Sequence, residues 1–304
     1  MTKAPIKNIG ASVRDRLRQR ARARRENAQL VMTRYAIERL LYRLSLSLYR
    51  DRFVLKGAML FSLWAPTPYR ATGDLDLLGY GDNAPGHLAE VFRDVIAVAV
   101  EDDGVVFRPE TLRAAAARVE DEYSGVRLDF LAEIAGARLP MRVDIGYGDA
   151  ITPEAAEIDY PSLLDQPRAR LRAYPPETVV AEKFQAVVEL GMLNSRMKDF
   201  FDLWAIGGAF AFEGDLLARA IQATFERRET SIPASLPIAL TPEFATAKQP
   251  QWVAFLRRTD IALTPRPFPE IQAQIAALVM PPAQALARGL AFTATWPAGG
   301  AWTG

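Results

Sequence analysis

The chain has 304 residues, half of them hydrophobic and about a quarter charged, enough for one large or two modest domains with a real core. It has no cysteine and a single histidine, His87, which excludes disulfides, thiolate-bound metals, iron–sulfur clusters and thiol nucleophiles and argues against a Ser-His-Asp triad or a histidine-rich metal site. Net charge is only +1, yet residues 1–52 hold fourteen basic side chains against four acidic ones, a local +10 that the rest of the chain offsets with −9.

Ser12 to Arg25 places Val13, Leu17 and Ala21 at helical spacing, with arginines on the other faces. This basic arm reads either as a polyanion-facing surface, with Arg16, Arg18, Arg20 and Arg22 as RNA contacts, or as a solvated helix with no ligand. Leu30 to Leu48 is a second amphipathic helix. Phe53-Val54-Leu55 then reads as a strand, and Lys56-Gly57-Ala58 as the turn that opens a short helix from Met59 to Trp64. Glycine there lets backbone approach a ligand, and a helix start favours anions. Pro66, Pro68 and Gly73 mark a loop leading to a second strand, Asp74-Leu75-Asp76-Leu77. Side chains two apart in a strand share a face, so Asp74 and Asp76 point one way and Leu75 and Leu77 the other, into a core. Two carboxylates aimed at one spot repel unless a cation neutralises them. The simplest cation is Mg²⁺, usually held this way to bind a nucleoside triphosphate. The plain alternative is that a D-x-D pair arises by chance.

Leu88 to Val100 is helical, Val105 to Phe107 a short strand, and Glu110 to Val119 a short helix. Residues 123–147 alternate as a hairpin turning at Gly136, with Asp144 projecting opposite to Val143 and Ile145. If the return strand lies beside the D-x-D strand, Asp144 completes a carboxylate triad; otherwise it is an ordinary outward residue. Prolines from 161 to 176 mark a connection to a helical part, whose first helix carries Lys183 in a column with Val179 and Val187. That lysine either snorkels or reaches a polar cavity or ion pair. Arg196, Lys198, Asp199 and Asp202 cluster before the next apolar helix. The acids either complement that helix's dipole or order Lys183 while Arg196 and Lys198 reach phosphates. Helices continue to about residue 279, broken at Ile232 to Pro242 and Thr264 to Pro269, and 281–304 reads as a loose Ala-, Gly- and Pro-rich tail. The expected division is 1–52, 53–160, 161–280 and 281–304. No apolar run is long enough to cross a bilayer and the N-terminus lacks a signal-peptide core, so the expectation is a cytoplasmic protein without a membrane partner.

Three segments resemble the AbiEii/AbiGii nucleotidyltransferase toxins: FVLKGAMLF…TGDLDLL the first motif, MRVDIGYGD the following carboxylate strand, and ETVVAEKFQAVVELGMLNSRMKDFFDLWAI the K…R-x-KD-x-x-D signature. The likeness runs from about residue 12 to 210. It implies an α+β fold of the DNA polymerase β-like nucleotidyltransferase kind, a mixed sheet flanked by helices with a helical C-terminal part. It also implies a toxin of a toxin–antitoxin or abortive-infection system that moves nucleotides from an NTP onto the tRNA 3′ end and blocks translation, neutralised by an AbiEi-like or other antitoxin.

Carried over by position, Asp74, Asp76 and Asp144 would hold Mg²⁺ or Mn²⁺, with Asp144 helping to deprotonate the acceptor hydroxyl. Lys56, Gly57 and Ala58 would cradle the nucleotide. Lys183, Arg196 and Lys198 would meet its phosphates, and Asp199 and Asp202 would support Lys183, Asp199 being the catalytic one. Where the superfamily often has a serine after the motif glycine, this chain has Ala58, so a hydroxyl contact to phosphate is absent. Two other functions stand beside this one: transfer to a protein or small molecule, and a non-catalytic nucleotide- or RNA-binding module of a defence complex.

Overall fold

The computed structural model describes residues 8–65, 70, 72–117, 125–259 and 266–304. Lys3, Lys7, Pro66, Pro68, Val119, the 123–124 start of the expected hairpin and Thr264 lie outside the described residues. The chain divides into two compact units, one of residues 1–148 with 157–173, the other of 149–156 with 174–304. The expected boundary at 160–161 therefore falls inside the first unit.

In the first unit, α1 (Ile9–Arg24) buries Val13, Leu17 and Ala21, the three positions its periodicity marks. Asn8 caps it, its side chain accepting from the Ala11 N–H. α2 (Ala28–Leu46) is buried almost all round. Then come β1 (Phe53–Lys56), a tight turn at Gly57–Met59, α3 (Leu60–Trp64), β2 (Asp74–Gly79) and α4 (Pro85–Ala97), with His87 in the first turn of α4 within 3.1 Å of an Arg52 nitrogen. β3 (Val106–Ala117), β4 (Gly125–Ile134), β5 (Ala137–Tyr147), β6 (Ala156–Asp159) and β7 (Arg170–Ala173) complete a seven-stranded mixed sheet of order β3-β4-β5-β2-β1-β7-β6. β2 runs antiparallel to β1 and parallel to β5. One face of the sheet carries Leu75, Leu77, Val126, Leu128, Val143 and Ile145, all at most 3 % exposed, and α1, α2 and α4 pack on the sheet. The opposite face of the same strands is polar.

The expected helix over Glu110 to Val119 is instead, from Glu110 to Ala117, the second half of β3. Its alanines have good helix propensity, but β4 offers a full ladder from Arg113↔Asp129 to Ala117↔Gly125, and that pairing prevails over local preference. β6 and β7, four residues each, are further strands that no sequence pattern marks, and β7 lies within the Pro161–Pro176 stretch that reads as connection.

The second unit is helical: α5 (Pro176–Leu190), α6 (Met197–Ala209), α7 (Gly214–Arg227), α8 (Pro242–Arg258) and α9 (Phe268–Ala287), with a two-stranded ribbon of β8 (Phe212–Glu213) and β9 (Thr295–Trp296). Residues 281–304 are thus no loose tail. α9 runs on through Pro281 and Pro282, the Trp296 indole donates to the Gly207 carbonyl at 2.9 Å, and the Trp302 indole donates to the Leu278 carbonyl at 3.0 Å. Composition pointed to disorder, but two tryptophans bury enough surface to pin the segment. Among the described residues no helix is long and apolar enough to cross a membrane.

Candidate active site

The first unit brings Gly57 against Asp76. β1 and β2 pair so that Lys56 stands opposite Asp76, and the chain then turns at Gly57 with φ +72°, a left-handed conformation that side chains resist. A β-carbon placed on Gly57 would sit 2.0 Å from Asp76 Oδ2 and 2.7 Å from its Cβ and Cγ. The glycine therefore makes the room in which the Asp76 carboxylate lies. Ala58 is buried, 6 % exposed, at the start of the turn. Asp74 is exposed and Asp76 half-buried on the polar face, while Leu75 and Leu77 lie in the core.

β5 does lie beside β2, and its register sets Asp144 opposite Asp76 and Arg142 opposite Asp74. The three carboxylates thus share one face of two neighbouring strands. Asp144, however, is already gripped at two points by Arg127 on β4: Nε donates to Oδ1 at 2.7 Å and Nη2 to Oδ2 at 3.1 Å. That hydrogen bond is the largest influence on the Arg127 guanidinium and raises its pKa. One row along, Arg142 donates from Nε to Asp129 Oδ1 at 3.0 Å. Arg127 and Arg142 escaped the sequence reading, although a signal for them exists. Ala135 and Gly136, both at positive φ, form a two-residue hairpin turn between Ile134 and Ala137. Counting outward from that turn sets Arg127 opposite Asp144 and Asp129 opposite Arg142.

The second unit gathers its own charged cluster. Asp199 and Asp202 lie three apart on α6, both fully buried, and the Lys183 ammonium from α5 reaches Oδ1 of the first at 2.7 Å and Oδ2 of the second at 2.8 Å. Arg196 closes the other side of Asp199 at 2.6 Å. Burial by itself would raise the Asp199 carboxyl, but Lys183 and Arg196 outweigh it and hold it at about 2. Of the two sequence alternatives for Lys183, the ion pair is what forms. Lys198 is exposed one residue before Asp199.

On α1, Arg18 and Arg22 are exposed, whereas Arg16 donates to the Leu164 carbonyl and Arg20 is half-buried beside the Leu163 carbonyl. Arg20 and Arg34 line a cavity of about 180 Å³ together with Glu38, Ser62 and Tyr160. Arg34, Arg39 and Arg43 are buried ion-pair partners of Glu26, Glu38 and Asp103. A solvent-facing basic arm is therefore a property of α1, not of the whole N-terminal segment.

The model of the nucleotidyl transferase AbiEii toxin family, of the type IV toxin–antitoxin system, matches residues 39–277. The chain belongs to this family. Membership makes it a nucleotidyltransferase-family toxin and implies an NTP substrate and an antitoxin partner. No curated protein matches the chain at a significant level. Among solved structures it is similar to JHP933 from Helicobacter pylori, at 14 % identity and TM-score 0.48, over 87 % of this chain and 94 % of that one. A second H. pylori protein, described as an inferred nucleotidyltransferase, is similar at 15 % identity and TM-score 0.46, over 85 % and 95 %. Neither likeness decides anything about the chemistry of this AbiEii-family chain.

A metal in this family member would have to be met by Asp74, Asp76 and Asp144. The donors are all carboxylate oxygen, which suits a hard cation, and the absence of a β-carbon at Gly57 is what lets the Asp76 carboxylate lie there. Among the described residues, no three His, Asp or Glu side chains are gathered closely enough to hold an ion together. Asp74, Asp76 and Asp144 share one face of β2 and β5, and the Asp144 oxygens lie on the Arg127 guanidinium.

Proposed function

We propose that this AbiEii-family chain transfers a nucleotide from an NTP to the 3′ end of tRNA in the bacterial cytoplasm, in an Mg²⁺-dependent reaction that blocks translation. The observation that carries the reading is the Gly57–Asp76 cradle beside Asp74 on the open polar face of β2, with Asp144 one strand away. Bound Mg²⁺ would supply charge neutralisation for the triphosphate and the leaving pyrophosphate. The acceptor's 3′-oxygen forms a bond to the α-phosphorus, the bond from that phosphorus to the β-phosphate bridging oxygen breaks, and pyrophosphate leaves. Asp144 takes the proton of the attacking hydroxyl at a carboxylate oxygen. Asp74 and Asp76 would hold the cation that neutralises the triphosphate. The N–H groups of Gly57 and Ala58 contact phosphate, and Lys56 supplies positive charge for it. Asp199 and Asp202 fix the Lys183 ammonium. Exposed Arg18 and Arg22, with Arg16 and Arg20, attract the RNA backbone.

The test is incubation of the purified protein with total bacterial tRNA, Mg²⁺ and each labelled NTP in turn, beside the Asp74→Asn, Asp76→Asn double variant. Label in tRNA with the wild type alone supports the reading. Label transferred equally by the variant removes the carboxylates from the mechanism. Label that enters protein or a small molecule from a lysate, and not tRNA, replaces the acceptor.

A further inference from the structure

Asp144 stands between two groups that can claim its oxygens. On one side the β2–β5 register sets it opposite Asp76, where a shared cation would need it. On the other, the Arg127 guanidinium already occupies both oxygens, at 2.7 and 3.1 Å. A guanidinium that grips a carboxylate through two parallel hydrogen bonds takes a lone pair on each oxygen, turns the group toward itself and sets a positive charge against any cation there. Arg127 is fixed in this contact by the hairpin itself, since the Ala135–Gly136 turn puts the two residues directly opposite across the β4–β5 ladder. The side chains of Arg127 and Asp144 are 43 % and 28 % exposed, so water and ions reach the pair. Ion pairs that exposed contribute little to folding, which leaves the contact easy to exchange. The neighbouring Arg142 supplies a contrast. It carries the same charge on the same face, but its partner is Asp129, and it leaves Asp144 alone.

We propose that Arg127 is a positioning residue that competes with the divalent cation for Asp144. While the cation is absent the guanidinium holds the third carboxylate away from Asp74 and Asp76. Cation binding to all three requires the guanidinium to let go, so Arg127 weakens cation affinity and links the order of the carboxylates to cation arrival. The inference rests on the metal role of Asp74, Asp76 and Asp144 proposed above.

Mn²⁺ binding to the purified full chain, followed by electron paramagnetic resonance without nucleotide or RNA, tests it. Arg127→Gln should bind Mn²⁺ roughly three- to tenfold more tightly than the wild type, the gain expected from removing one neighbouring positive charge and its competing contact. Arg127→Lys keeps the charge and loses the two-point grip; it should fall between the two and guards against a variant that folds poorly. In an Asp144→Asn background the Arg127→Gln gain should vanish, because the contested oxygens are gone. An Arg127→Gln affinity equal to or weaker than wild type overturns the competition, and so does a gain that persists undiminished beside Asp144→Asn. Unchanged Mn²⁺ binding by the Asp74→Asn, Asp76→Asn variant would remove the metal reading itself. Loss of binding there, with no effect of Arg127→Gln, removes only the competition.

Discussion

Gly57→Ala isolates the contribution of the cradle. The added β-carbon would lie 2.0 Å from Asp76 Oδ2 and 2.7 Å from the Asp76 Cβ and Cγ, far inside ordinary carbon–oxygen or carbon–carbon contact. Something must yield. Turning the Asp76 side chain moves its carboxylate away, at about 1 kcal/mol for a poor rotamer, but leaves its Cβ in place, so β2 must also shift against β1 and strain the ladder from Phe53↔Gly79 to Lys56↔Asp76. To this is added about 1–2 kcal/mol for an alanine at φ +72°. The expected loss of stability is therefore at least about 2 kcal/mol, a fall in melting temperature of at least about 4 °C for a unit of this size. Function should suffer far more, because the displaced group is the carboxylate itself. Nucleotidyl transfer and Mn²⁺ binding should drop at least about a hundredfold, the scale of a misplaced catalytic group. Gly86→Ala is the control: Gly86 sits in the first turn of α4 with nothing within 4 Å of an added β-carbon, so that variant should keep its activity and its melting temperature. Calorimetry with the labelled-NTP assay reads both quantities. A folded Gly57→Ala protein with wild-type transfer and Mn²⁺ affinity would refute the reasoning.

The Lys183 cluster predicts an acid-sensitive step. Asp199 moves from an ordinary 3.8 to about 2 on folding, a depressed value, so its contribution is present above about pH 4 and is lost as pH falls from there toward 2. The shift corresponds to about 2 kcal/mol. Urea denaturation between pH 6 and 2.5 should show wild-type stability falling by that much more than Asp199→Asn stability, and parallel curves would discard the argument. Lys183→Ala leaves two fully buried carboxylates facing each other and should cost about 3–5 kcal/mol, read from the same urea midpoints. Arg18→Gln with Arg22→Gln removes two exposed charges from α1. The slope of log affinity for tRNA against log salt should shrink by about 2, and an unchanged slope would take α1 out of the RNA surface. Trp296→Ala removes a side chain 5 % exposed and its bond to Gly207, so it should destabilise the second unit by about 3–5 kcal/mol. A protein insensitive to that change would return 281–304 to the status of a tail.

Local periodicity determined much of this protein before any contact was known. Val13, Leu17 and Ala21 fix the buried stripe of α1, and alternation alone puts Asp74 and Asp76 on one face and Leu75 and Leu77 on the other, because both patterns follow from the geometry of one segment. The residues of the family's motifs were also legible in order along the chain. What lay beyond reach depended on a partner distant in sequence. The alanines of β3 become a strand only because β4 supplies their hydrogen bonds, and β7 forms between β1 and β6. Trp296 and Trp302 hold a segment whose composition reads as loose, since a buried and a half-buried indole, each hydrogen-bonded to a helix carbonyl, outweigh many small residues. Whether Asp144 shares a face with Asp74 and Asp76 turned on which strand lay beside β2. Strand order and register placed it there and set Arg127 across from it, and both arise from pairing across the sheet, which a single strand's pattern does not contain.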